Sequence, residues 1–163
     1  ATSGLLIVAK NKKVHQHLQA QFKNHTIRKM YIALLDGIIP QDEGTIELPI
    51  CPDPLDRPRQ VVDMEYGKPA ITHYQVLERR DKCTRIAFHP HTGRTHQIRV
   101  HFSHIGFPLL GDDLYGGSLD CGIERQALHC HNLVFTNPFS VERVDLEAAL
   151  PEDFQAVINQ LKS

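Results

Sequence analysis

The stretch from His89 to Phe102, HPHTGRTHQIRVHF, constrains the fold of this chain more than any other. Pro90 and Gly93 break an extended run and mark a turn, and Thr95 is the expected helix N-cap. Ile98, Phe102 and Ile105 then recur at i, i+4 and i+7, one apolar face of a short helix. Arg99, His101 and His104 are left for its other faces. The same fourteen residues hold four histidines, two arginines and no acid. A turn feeding a helix N-terminus, ringed with cationic and hydrogen-bonding side chains, suits an anion. A ligand large enough to use this many contacts is best matched by a phosphate backbone. A surface helix with ordinary solvated charges is the plain alternative.

Strand signals surround this turn. Leu5 to Ala9 reads as a buried strand that starts almost at the first residue, which suggests chain upstream that is missing, removed or disordered. Asn11 caps a helix to about His25, with Val14, Leu18 and Phe22 inward. Arg28 to Leu35 is a second strand, ended by Asp36-Gly37. Residues 38–60 hold short extended pieces and loops, and the Cys51-Pro52-Asp53-Pro54 and Arg57-Pro58-Arg59 runs are too rich in proline for a helix. Ile71 to Leu77, a turn at Arg79 to Lys82, and Cys83 to Phe88 form a hairpin that delivers the chain into the histidine-rich turn. Leu128 to Phe135 pairs with Arg143 to Leu146 across Asn137-Pro138, and a helix closes the chain with Phe154, Val157 and Leu161 inward. Strands in neighbouring runs with two or three helices between them predict an α+β domain: a mainly antiparallel mixed sheet with a few flanking helices. Residues 1–163 read as one domain.

A net charge of −1 argues by itself against a nucleic-acid binder, but the charge is unevenly placed. Residues 1–29 hold Lys10, Lys12, Lys13, Lys23, Arg28 and Lys29 and no acid. From Gly111 onward there are nine acids and three bases, Arg125, Arg143 and Lys162. Such asymmetry builds a positive face on a nearly neutral protein wherever the fold keeps the two halves apart. No apolar run approaches the roughly 20 residues that span a membrane. Cys51, Cys83, Cys121 and Cys130 lack CxxC spacing, which fits reduced thiols in a cytoplasmic protein.

Several chemistries leave marks that are absent: GxxxxGK[ST], GxGxxG after a strand, GxSxG and HExxH. Eleven histidines raise a metal question. His89 with His91, and His129 with His131, sit at i, i+2 and could in principle form a site. No acid stands near either pair, and no metal is expected. A Cys130 nucleophile is disfavoured, because in a strand His129 and His131 point to the opposite face.

Gly93-Arg94-Thr95-His96-Gln97-Ile98-Arg99-Val100-His101 resembles the signature helix of the RluA-type pseudouridine synthases. Other blocks occur in the family's order. Ala1 to Lys10 resembles the end of its HRLDxxTSG motif and the residues just after it, and Lys29-Met30-Tyr31-Ile32-Ala33 resembles its KxYxA motif. Gly111-Asp112 with Tyr115-Gly116 resembles its GDxxYG loop. Leu128-His129 with Phe135-Thr136-Asn137-Pro138 resembles its LHA…F.HP segment. The run with Arg57 and Arg59, then Gly67-Lys68-Pro69-Ala70, is most similar to the RluA subgroup, whose members modify large-subunit ribosomal RNA and transfer RNA anticodon stem-loops. The resemblance implies a cytoplasmic, monomeric isomerase that acts on RNA without a cofactor. It places the nucleophilic aspartate two positions before Ala1, so the domain is expected to be truncated on its N-terminal side and inert as it stands. It assigns Arg99 as the cationic partner of that aspartate, Tyr31 as the tyrosine that stacks on the target base, and Leu128 as an apolar pocket wall. Arg94 and His96 are expected to shape the turn or meet phosphate, and Arg57, Arg59, Lys10, Lys12, Lys13 and Lys68 to contact the RNA backbone. An inactive RNA-binding module of the same fold is the alternative, and a histidine-based metal hydrolase a weaker one.

Overall fold

In the computed structural model, which describes residues 2–161, the run Arg28–Asp36 forms strand β2 at the centre of a seven-stranded sheet. Its apolar run is continuous because both faces are buried. Ala33 and Leu35 join one core with Ile86, Phe88, Ile98 and Phe102. Ile32 and Leu34 join the other with Ala87, Phe154, Val157 and Ile158. The strand order is β1 (Ser3–Gly4), β8 (Leu128–Thr136), β2, β7 (Cys83–Pro90), β6 (Ile71–Arg80), β3 (Glu43–Glu47), and β9 (Arg143–Glu147) pairs with β8. Among the described residues only β1 with β8 is parallel; the other pairings are antiparallel. A separate two-stranded ribbon joins β4 (Ile50–Pro52) to β5 (Gln60–Val62). The α+β architecture expected from the strand runs is therefore present.

Among the described residues, three helices flank the sheet. Helix α1 (Lys12–Lys23) is capped by Asn11, whose side chain accepts from the Val14 N–H. Helix α2 (Gln97–His104) lies on the first core, with Phe102 against Phe88 and Tyr74 at centroid distances of 5.1 and 5.4 Å. Helix α3 (Glu152–Gln160) covers the second. No described helix is long and apolar enough to cross a membrane.

Five sequence expectations are corrected. Leu5 to Ala9 is not a buried strand. The ladder stops at Gly4, only the Leu5 N–H still reaches the Cys130 carbonyl (3.0 Å), and Leu6 and Val8 lie in solvent. Phe22 is 42% exposed rather than inward, because α1 buries only Leu18. The β6–β7 turn is tighter than expected: β6 runs on to Arg80. The N-cap of α2 is His96, in the left-handed region at φ 55°, not Thr95. His101 is fully buried and Ile105 is 36% exposed, the reverse of the amphipathic reading. Ala1 and Lys162 lie outside the described residues.

Candidate active site

A cleft of about 1440 Å³ opens where α2, the ends of β2 and β8, and the turn after α1 meet. Leu128 and Cys130 alternate with His129 along β8, so both face the cleft while His129 does not. Tyr31 is the Cα partner of Cys130 across β2–β8, at the point where the register shifts between Met30 and Tyr31. Burial, and then the neighbouring Cys130, push the Tyr31 hydroxyl up to about 12. At neutral pH it is a phenol, a hydrogen-bond donor rather than a base.

Arg99 is the third residue of α2. Its Nε donates to Asp112 Oδ2 at 2.8 Å and its Nη2 to Oδ1 at 2.9 Å, a bidentate pair. The Asp112 side chain is fully buried. The guanidinium also sits 4.9 Å from the Tyr115 ring centroid. Two of its five N–H donors serve Asp112, so the remainder are held in a fixed direction at the cleft. The loop that supplies Asp112 and Tyr115 is closed by its own bonds: Gly117 N–H to the Asp112 carbonyl (2.8 Å) and Gly111 N–H to the Ser118 carbonyl (2.8 Å). Both glycines are required. A Cβ on Gly111, at φ 75°, would lie 2.1 Å from the Arg125 carbonyl, and one on Gly117 would lie 1.8 Å from the Leu109 carbonyl.

The turn before α2 is held by Gln97, a residue to which sequence reading gave no role. Its amide Nε2 donates to the Ile71 carbonyl and to Thr72 Oγ1, both at 2.9 Å, and its Oε1 accepts from the Arg94 N–H (3.1 Å) and the Thr92 hydroxyl. The chain of bonds continues. The Thr72 hydroxyl donates to His101 Nδ1 (2.9 Å), and His101 Nε2 donates to the Leu48 carbonyl (2.8 Å). Burial pulls the His101 pKa down, in keeping with one acceptor and one donor nitrogen. The signal for Gln97 was its place at the first position of the helix, where a long amide can reach back over the turn.

The other expected residues are dispersed. Arg94 Nε donates to the Pro69 carbonyl (2.8 Å), so it does shape the turn, at the cleft rim. His96 Nδ1 accepts from the Tyr115 hydroxyl (2.8 Å), whose oxygen accepts from the Gln60 N–H (2.9 Å). Burial and then the Arg99 charge lower the His96 pKa. This relay ties the β4–β5 ribbon to the site. Arg59, in the connection just before β5, stands 5.6 Å from the Tyr115 centroid. Arg57, Arg59, Lys10, Lys12, Lys13 and Lys68 do not line the cleft. Lys23, Arg28 and Lys29 do, and among the described residues no carboxylate does. Of the histidine pairs, His89 and His91 line the cleft, whereas His129 Nε2 and His131 Nδ1 are both 2.8 Å from the Ala148 carbonyl.

The model of RNA pseudouridylate synthases matches residues 1–104, which include the strand of Tyr31 and the helix of Arg99. The chain belongs to the RluA-type RNA pseudouridine synthases. It is 46% identical to an uncharacterized RNA pseudouridine synthase of Bacillus subtilis over 99% of its own length and 53% of that protein. It is 40% identical to a dual-specificity RNA pseudouridine synthase of Vibrio cholerae over 86% of its length and 58% of that protein. A solved human RNA pseudouridylate synthase domain superposes with a TM-score of 0.75 at 31% identity, covering 92% of this chain and 66% of that one. The chain thus spans about half the length of the curated relatives it matches.

Proposed function

We propose that this chain forms the substrate pocket of an enzyme that isomerises uridine to pseudouridine in structured RNA. One observation carries the reading: Arg99, Tyr31 and Leu128 converge on a cleft lined with cations and, among the described residues, free of carboxylates. The isomerisation breaks the N1–C1′ bond, turns the base, forms the C5–C1′ bond, and exchanges the C5 proton for one on N1. It needs no redox partner, metal or nucleotide. The pocket needs one carboxylate nucleophile, to attack either the base or ribose C1′. The aspartate that the family's motif places before Ala1 would supply it. A carboxylate entering a half-buried pocket stays ionised only beside a fixed cation, and Arg99 is fixed by Asp112. Tyr31 offers a ring for the flipped base and a phenolic donor for its polar edge. Leu128 closes the apolar side.

The uridine must leave its stack to reach this pocket, which favours loops and stem-loops. Both ribosomal RNA and a transfer RNA anticodon stem-loop meet that condition, so both are proposed substrates. RNA carrying tritium at uridine C5 tests the reading. Protein that includes the aspartate motif should release tritium, and residues 1–163 alone should bind the same RNA without release. Absence of release from both, on ribosomal and transfer RNA alike, would leave an RNA-binding module of this fold.

A further inference from the structure

Helicity alone puts Phe22 on the apolar face of α1, yet the C-terminal turn of this helix forms one wall of the cleft with rings in solvent. Phe22, His25 and His91 all line the cleft and are all exposed. The imidazoles of His25 and His91 are stacked face to face, with centroids 4.3 Å apart and planes 8° from parallel. His73 meets His91 edge-on at 5.8 Å. Lys29 lies over the Phe22 ring at 4.9 Å, and Lys23 and Arg28 stand in the same wall. Exposed rings interleaved with cations are what single-stranded nucleic acid uses, one base per ring and its phosphates on the charges.

The backbone gives a second, independent reason. Helix α1 ends in a Schellman turn: Thr26 N–H donates to the Gln21 carbonyl (2.9 Å) and His25 N–H to the Phe22 carbonyl (3.2 Å). This turn puts His25 at φ 57°, in the left-handed region where glycine or asparagine is favoured. The fold would be better served by glycine there. What histidine adds is its ring, and that ring makes the stack on His91.

We infer that the His25–His91 stack is a docking platform for one unpaired nucleobase of the RNA, next to the uridine held at Tyr31. The inference rests on the pseudouridine synthase reading and adds a subsite to it. His25→Gly removes the ring where glycine suits the backbone, so its melting temperature should equal or exceed that of the unchanged chain. His91→Ala removes the other ring, and His91→Phe keeps a stacking surface without imidazole nitrogens.

The probe is a stem-loop RNA with an all-uridine loop and one 2-aminopurine beside a loop uridine. Stacking should quench its fluorescence on the unchanged chain and on His91→Phe. Quenching should be lost with His25→Gly and His91→Ala, and affinity should fall about five-fold or more, the low end of what one stacked base contributes. The salt dependence of binding should not change, because stacking displaces no counterions. Unchanged affinity and quenching in His25→Gly and His91→Ala would overturn the platform while leaving the enzymatic reading intact. Failure of the unchanged chain to bind RNA at all would overturn both.

Discussion

Arg99 has two jobs that can be separated. Toward the interior it neutralises Asp112, whose carboxylate is fully buried and has no other cation paired with it among the described residues. Arg99→Ala leaves that charge uncompensated, and the expected cost is about 3–5 kcal/mol, read as a lower midpoint in urea unfolding. Replacing both partners, Arg99→Met with Asp112→Leu, should recover most of that loss, because no buried charge remains. Neither variant should support tritium release in protein that includes the aspartate motif, since the cleft then lacks its fixed cation. Tyr31 divides differently. Tyr31→Phe keeps the ring and removes only a hydroxyl that burial holds as a neutral phenol. RNA affinity should therefore change less than about two-fold, while turnover falls about 100-fold or more if the hydroxyl moves or steadies a proton. Equal loss in binding and turnover would make Tyr31 a packing residue. The resemblance to the family's motifs singled out both positions, and both line the cleft. Gln97 and Asp112 were not read as the supports of the site, since their roles depend on which carbonyls and guanidinium the fold brings within reach.

At the scale of elements, α2 is aimed by what it buries. His101 at its centre bonds Thr72 on β6 and the Leu48 carbonyl, so one side of the ring holds the helix to the sheet and the other to the chain just after β3. The folded-state pKa of His101 lies below its ordinary 6.5. The unfolded chain therefore binds the proton more readily than the fold does, and stability is full above 6.5 and is lost as the pH falls below it. Denaturation midpoints tracked downward from pH 7 should drop, and His101→Gln, which keeps a donor and an acceptor but cannot titrate, should flatten that slope. The 109–118 loop makes the complementary point. Gly117→Ala puts a methyl 1.8 Å from the Leu109 carbonyl, backbone against backbone, so the loop must shift. The expected result is a loss of about 2 kcal/mol or more in stability, together with a displaced Asp112 and weaker tritium release from protein that includes the aspartate motif. Helix and strand periodicity found nearly all of these elements. It failed at His101 because a histidine with both nitrogens satisfied behaves as a core residue, and at Leu5 to Ala9 because apolar residues alone do not supply a strand to pair with.

For the whole molecule, the question left by a net charge of −1 is where the charges go. The fold separates them in part, for Asp112 returns to pair with Arg99 beside the cleft. Helix α3, with Glu152 and Asp153 in its first turn, covers one core, and the cleft opens beside the other. The basic N-terminal region is only partly used: Lys23, Arg28 and Lys29 line the cleft with Arg94 and Arg99, whereas Lys10, Lys12 and Lys13 do not. Sequence order could show that an asymmetry existed but not which lysines the turn after α1 would carry inward. RNA binding should depend on the cleft rather than on the count of bases. Each phosphate neutralised on a single strand contributes about −0.7 to the slope of log K against log salt, so three to five engaged cations predict a slope of roughly −2 to −3.5. Lys23→Ala should make that slope shallower by about 0.7 and weaken binding at low salt. Lys12→Ala, at the start of the same helix but outside the cleft, should leave both unchanged. Fluorescence anisotropy of a labelled stem-loop RNA over a salt series measures all three. Equal effects from Lys12→Ala and Lys23→Ala would mean that the RNA runs along the outside of α1, and the cleft would no longer explain RNA binding.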